Sequence, residues 1–565
     1  MMKYKQNLKT IINIQQRSIQ QVRKSIWGMK QKYLKLFLIS GLFNISISIQ
    51  LRLNSSTAAT ASTPEWQEAR PFEEIPSMNS FSMARNLLPG GKYYKFDLTK
   101  LLLAIRNDLG PIVRSKAFMG RPPQVITHNP QDFETVFRNE GIWPIRPGGL
   151  ASEYHRNTHR ADFFQGVEGL VSVHGEKWGT FRTAVNPVLM QPKNVRVYVR
   201  KMAQVNNEFL QRIREIRDPK TFEVPASFQE EMNRWTLESV SVVALDKQLG
   251  LITTNRENPD IKELFQLIND FFTLGLDIEI KPAFWKYYKT PTFKKFMKTL
   301  DGLLNFGIKY VGEAIQRLED ERKRGVPEKP DNEKSVLEKL IKIDKKIATV
   351  MAIDMLLAGV DTTSSTLTGL LLCLAKNPEK PAKLRQEIMQ ILPEKHSEFT
   401  ESSLNQLPYL RACIKEALRV YPITLGNTRV LANDVVLSGY RVPKGTQVSM
   451  VTTHIQQDDS HFPKAKEYLP ERWLRSAKAE EETSNEAACP HALKASSPFV
   501  YLPFGFGPRS CVGRRIVEME LELGVARLVR NFHIEFNYPT ENAFKFQLIF
   551  APNIPLKFKF TDVEK

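Results

Sequence analysis

A mainly helical fold with a small β-rich part is what this sequence predicts, on three observations. From about residue 178 to residue 419 the apolar residues recur at helical spacing. Within that span, residues 344–376 read as the longest helix, apolar on nearly every side between Ile347 and Leu374. Strand-like runs bounded by turn residues stand on either side, at 123–127 and, beyond Tyr421, at 435–445.

The first 64 residues hold ten Lys or Arg, no Asp or Glu, and a closing Ser, Thr and Ala run at 55–62. A basic, Ser-rich, acid-free leader has the composition of an organelle transit peptide, with mitochondrial import favoured. The rival reading is a membrane anchor at 36–51. That run is shorter than the roughly 20 residues a span requires, and Ser40, Asn44, Ser46, Ser48 and Gln50 interrupt it. Residues 65–565 read as one domain, although a prior of about 150 residues per domain would allow three or four. Removing the ten leader cations from the net charge of +19 leaves +9, a surplus that favours an acidic partner or an anionic membrane surface. Four cysteines, Cys373, Cys413, Cys489 and Cys511, contain no CxxC pair, which argues against a disulfide-stapled secreted fold.

A helix hydrophobic all round is either buried in a large protein or spans a membrane. Asp354 and Asp361 favour the first, because each carboxylate at a bilayer centre costs about 2.5 to 3.5 kcal/mol. A Lys- and Pro-rich loop, 322–334, precedes this helix, and a polar stretch, 476–497, precedes the most informative segment.

That segment, Phe504-Gly505-Phe506-Gly507-Pro508-Arg509-Ser510-Cys511-Val512-Gly513, fits FxxGxRxCxG. Five fixed positions recur by chance in a chain this long with probability on the order of 10⁻⁴. Glycines at 507 and 513 let the backbone approach a flat cofactor and adopt turns that a side chain forbids. Cys511 is the one soft anionic ligand in the loop. The structural alternative is a buried, inert thiol after a Gly-rich turn.

With this motif the sequence resembles the cytochrome P450 superfamily over residues 80 to 560, and four further motifs fall in that family's order. The resemblance implies the P450 fold, a long central helix over haem b (iron protoporphyrin IX) with Cys511 as axial iron ligand in the loop beneath. A thiolate bound to haem iron pushes electron density that favours O–O cleavage. Phe504, Gly507 and Gly513 match the rest of the loop, and Arg509 the residue that pairs with a haem propionate. Ala358-Gly359-Val360-Asp361-Thr362-Thr363 resembles the oxygen-activation groove: Gly359 lowers bulk beside the cofactor, Thr362 bonds the carbonyl four residues back, and Asp361 relays protons. Trp178 and Arg182 match the WxxxR propionate clamp, and Arg429 another propionate contact. Glu416 and Arg419 form ExxR, joined by Arg472 into a structural triad; Trp473, after Arg472, stands where Phe is commoner.

Arg411 and Lys415 share one helical face and match the mitochondrial class, whose helix docks an acidic adrenodoxin-type 2Fe-2S ferredoxin fed by an NADPH-dependent reductase. Arg514 and Arg515 match that class too. An ordinary solvated basic face is the structural alternative. Lys281 to Lys289 interleave aromatics with lysines, which suits peripheral contact with an anionic bilayer more than nucleic-acid stacking; a plain helix-flanking loop stays open. Together the resemblance implies a monooxygenase that uses O2 on a small hydrophobic substrate, xenobiotic or steroid-like, on the matrix side of the mitochondrial inner membrane. Its nearest likeness is to the insect mitochondrial family twelve. A microsomal enzyme fed by a flavoprotein reductase, and a haem sensor without turnover, are the rivals.

Overall fold

Asp344 begins the helix around which the fold is arranged: its side chain accepts the backbone N–H groups of Lys346 and Ile347 and so caps the 32-residue central helix, Lys345–Lys376. A computed structural model of the chain describes residues 63–117, 120–253, 258–400, 402–474 and 493–564. The transit-peptide and anchor readings, Cys489 and most of the 476–497 stretch lie outside the described residues. The chain falls into two units, Met1–Glu68 and Ala69–Lys565. Of the first, the short helix Pro64–Glu68 is described; everything below concerns the second.

The central helix is apolar all round because it has neighbours all round. Helices Phe228–Ala244, Pro291–Lys323, Val336–Ile343, Pro408–Val420 and Arg514–Asn531 pack against it. By length and composition it is able to cross a membrane, but its face carries Asp354, which pairs with the Arg156 guanidinium at 2.5 Å and accepts the Leu170 N–H at 2.9 Å. Both side chains are buried, so charge is compensated inside protein. It is not the longest helix: Pro291–Lys323 has 33 residues. The loop at 322–334 does not lead straight into it either. An eight-residue helix, Val336–Ile343, intervenes, started by a capping box between Ser335 and Glu338 whose S-x-x-E signature was present in the sequence.

The β-rich part holds its own apolar cluster, including Val125, Phe133, Val448, Phe462 and Val500. Its main sheet orders the strands β1 (Ile112–Ser115), β2 (Gln124–Thr127), β6 (Gln447–Val451) and β3 (Gly426–Val430). β2 pairs parallel with β6, and the other two pairings are antiparallel. The run at 435–445 forms the hairpin of β4 (Val435–Leu437) and β5 (Tyr440–Val442). β3 delivers Arg429, and the cysteine loop lies between the β-rich part and helix Arg514–Asn531.

Replacing Arg156 with Met strands the Asp354 carboxylate in the core. Stability is expected to fall by about 3–5 kcal/mol in urea denaturation, and the double variant with Asp354→Leu to recover much of it. A double variant as damaged as the single would show that ion pairing is not what this contact supplies.

Candidate active site

The cysteine loop turns on two glycines in the left-handed region, Gly505 (φ +70°) and Gly507 (φ +69°), and a Cβ on Gly507 would sit 2.5 Å from Glu140 Oε1. Gly513 has a different backbone from the other two glycines. Its backbone (φ −82°, ψ 0°) suits any residue, and a Cβ there would meet only the Cys511 sulfur, at 3.9 Å. Its use is local: the N–H groups of Gly513 and Arg514, at the start of helix Arg514–Asn531, point to the Cys511 sulfur. The Cys511 N–H donates to the Phe504 carbonyl at 2.8 Å, which fixes the loop from its other end.

Cys511 has an exposed surface, yet it lies deep in the fold, so that surface opens on internal space. Burial raises its thiol above the usual cysteine range, while the Gly513 N–H and the guanidinium groups of Arg182 and Arg146 pull it down. Cys373 and Cys413 are buried and free. They have the inert character expected of packed thiols.

Around Cys511 stands a cationic wall. The Arg509 guanidinium lies 3.8 Å from the Trp178 ring centroid. It donates to the Pro144 carbonyl at 2.9 Å and the Val173 carbonyl at 2.7 Å, and its Nη1 has no partner. Burial, then Arg146, Arg429 and Arg182, hold its pKa down at about 9. Arg182, four residues after Trp178, is buried with its Nε unpaired. Arg429 is engaged otherwise: it pairs with Glu140 and donates to the carbonyls of Thr428 (3.0 Å) and Phe506 (3.3 Å). Arg146 and Glu140 escaped the sequence reading. Arg146 sits in the Pro- and Gly-rich turn Trp143-Pro144-Ile145-Arg146-Pro147-Gly148-Gly149, whose composition signals a loop but not a charge aimed inward. Arg429 and Arg509 thus share one carboxylate, Glu140, while Arg146 and Arg182 face the Cys511 sulfur, which leaves a surplus of buried positive charge.

On the central helix, the Thr362 hydroxyl donates to the Ala358 carbonyl at 2.7 Å, the back-bond its mid-helix position suggested. Ala358 is exposed and Thr362 half-buried in the middle of a helix whose other central residues are mostly buried, so this face is not packed against a neighbouring element. Asp361 has burial as the one resolved influence on its carboxyl, which is lifted to about 6. Gly359 faces elsewhere: a Cβ there would meet Val240 Cγ2 at 2.7 Å. Its small size therefore serves the close approach of helix Phe228–Ala244.

Glu416 is the hub of the scaffold behind the loop. Its carboxylate accepts from Arg419 Nε (3.0 Å) and Nη2 (2.8 Å), Arg472 Nε (3.0 Å), the Leu469 N–H (3.0 Å) and the Trp473 indole (2.8 Å). Arg419 continues to the carbonyls of Gln456, Ala465 and Glu467, and Arg472 to that of Leu493. Trp473 is thus a donor that Phe cannot replace.

Arg411 and Lys415 line a groove of about 680 Å³ with Trp473, Tyr501, Phe504 and Arg515. Arg411 is held by Glu522 at 2.7 Å, and Arg514 by Glu518 at 2.8 Å; Lys415 is exposed on the same helical face.

The family model described as Cytochrome P450 matches residues 87–560, and the chain belongs to that family: it is a P450 monooxygenase, a haem-iron oxidoreductase. It is 63% identical over 516 residues to cytochrome P450 CYP12A2 of Musca domestica, covering 91% of this chain and 96% of that one. With the probable mitochondrial cytochrome P450 12a5 of Drosophila melanogaster it shares 58% identity over 512 residues, 90% and 94% of the two chains. A third relative, the probable mitochondrial cytochrome P450 12c1 of the same fly, is 44% identical across 93% of this chain and all of its own length. The chain is accordingly a mitochondrial P450 of the insect family-twelve kind. The residues suit the family's cofactor, for an accessible thiol at a helix start and the unpaired donors of Arg182 and Arg509 complement a flat iron chelate with two carboxylates.

Because burial raises the Asp361 pKa to about 6, the folded protein favours its protonated form. That contribution to stability is complete below the ordinary carboxyl range and is lost as pH rises through about 6. Between about pH 4 and pH 7 the protein should lose on the order of 2 kcal/mol relative to its Asp361→Asn variant. Denaturation of both at each pH checks this; a difference independent of pH would contradict it.

Proposed function

We propose that this chain holds haem b through Cys511 and inserts one oxygen atom from O2 into a small hydrophobic molecule, xenobiotic or steroid-like. Electrons come from an adrenodoxin-type 2Fe-2S ferredoxin, itself reduced by an NADPH-dependent reductase, on the matrix side of the inner mitochondrial membrane. Residues 1–64 serve as the transit peptide and 65–565 as the catalytic domain. The observation that carries this reading is the Cys511 sulfur at the start of helix Arg514–Asn531, facing Arg182 and Arg146. When bound, haem supplies the iron at which O2 is reduced.

The chain's own residues account for the rest. Arg182 and Arg509, with Arg429 beside them, would hold the propionates, and Trp178 supports Arg509 through its ring. The Thr362 hydroxyl, donating to Ala358, leaves its lone pairs toward the open side of the central helix, where they order a hydrogen-bond donor. Asp361, with a pKa near the working range, picks up and releases protons beside it. Glu416, Arg419 and Arg472 keep the loop's support rigid.

The groove under the loop supports the ferredoxin reading, since its rim carries Arg411, Lys415, Arg514 and Arg515. An acidic partner gains on-rate from such a rim. Peripheral membrane contact is supported by the 281–289 segment: Phe284, Tyr287 and Tyr288 are exposed among lysines, whereas Trp285 is buried, bonded to the Ile278 carbonyl at 3.1 Å. Their amphipathic rings suit a bilayer interface.

Reconstitution separates the donors: turnover is expected with the ferredoxin system, and turnover with a flavoprotein reductase but not with ferredoxin would overturn the assignment. Thr362→Ala should divert most electron flow into hydrogen peroxide, read as the ratio of peroxide to product per NADPH. Unchanged coupling would remove Thr362 from the role given to it.

A further inference from the structure

The floor of the groove beneath the cysteine loop has a construction that neither ferredoxin docking nor the Glu416 network explains alone. Trp473 and Tyr501 form it, their ring centroids 4.4 Å apart. The Tyr501 hydroxyl donates to the Lys415 backbone carbonyl at 2.9 Å, and the Lys415 ammonium lies 5.9 Å from the Trp473 ring centroid. On its other edge the Trp473 indole N–H donates to Glu416 Oε2 at 2.8 Å. The same two rings therefore touch the side chain and main chain of an exposed cation and the most connected buried carboxylate behind the loop.

We propose that Trp473, with Tyr501, is a positioning residue for the docking face: it fixes Lys415 at the groove rim and ties it to the Glu416 scaffold. The inference rests on the ferredoxin reading of this groove and adds to it a residue and a reason. A lysine side chain has many rotamers to lose, so a docking lysine supported on a ring and anchored through its own carbonyl loses less on binding than an unsupported one. The indole bond makes the support rigid, because the ring cannot slide while its N–H is held by a carboxylate that Arg419 and Arg472 also hold.

The test is the affinity of the haem-loaded protein for its ferredoxin, by titration at two ionic strengths. Trp473→Phe keeps an aromatic floor and leaves Glu416 with four of its five donors, so the scaffold survives. A thermal unfolding profile and the carbon monoxide spectrum confirm that. Lys415→Gln is expected to weaken ferredoxin binding about tenfold and Trp473→Phe about fivefold. The double variant should be little weaker than Lys415→Gln alone, because both changes remove one interaction. If Trp473→Phe does not fold, Tyr501→Phe, which deletes only the bond to the Lys415 carbonyl, should weaken binding about threefold. Loss of affinity in Lys415→Gln with none in Trp473→Phe or Tyr501→Phe, or strictly additive losses, would overturn the positioning role and leave docking intact. Unchanged affinity in Lys415→Gln would overturn the docking assignment itself.

Discussion

A sulfur that is to become an anion has to be held in a place where burial opposes ionisation, and the arrangement around Cys511 answers that problem. Burial raises the thiol, while the start of a helix and two guanidinium groups favour its charged form. The guanidinium groups are themselves buried and crowd one another, Arg509 most visibly. Each half of the site is unfavourable alone. A bound cofactor with a cationic metal and two carboxylates would relieve both at once, with Cys511 available to the metal and the unpaired donors of Arg182 and Arg509 available to the carboxylates.

Such strain persists only on a rigid support. Glu416 provides it by drawing five donors from two stretches of chain, its own helix and residues 469–473, onto one carboxylate with no exposed surface. Breaking an ionic partner of a buried charge network costs far more than a surface pair contributes, so Glu416, Arg419 and Arg472 hold as a unit. The helix that contributes Glu416 also carries Arg411 and Lys415 on its accessible face. The surface proposed to meet an electron donor and the scaffold behind the cysteine loop are therefore parts of one element.

Much of this was legible in the sequence because the chemistry is local there. FxxGxRxCxG names the loop, and the helical spacing of Trp178 with Arg182 and of Glu416 with Arg419 survives folding unchanged. The back-bond of Thr362 to Ala358 is likewise a property of one helical turn. What was not legible depends on distant partners. Gly359 looked like space beside a cofactor until Val240 was seen against it. Arg429 read as a propionate contact alone, whereas Glu140, 289 residues away in sequence, lies on its Nε. Arg146 lies in a loop with no periodicity to mark its direction, and Trp473 stood out only as a departure from Phe because its acceptor belongs to another helix.

The claim on which the account stands is the ligation of haem iron by the Cys511 sulfur. The direct measurement is the absorbance of the purified, dithionite-reduced protein under carbon monoxide, beside its Cys511→His variant. The account predicts the strongly red-shifted Soret band of thiolate-bound haem in the parent and its loss in the variant. An imidazole-type band in the parent, or a red-shifted band that survives the substitution, would contradict it.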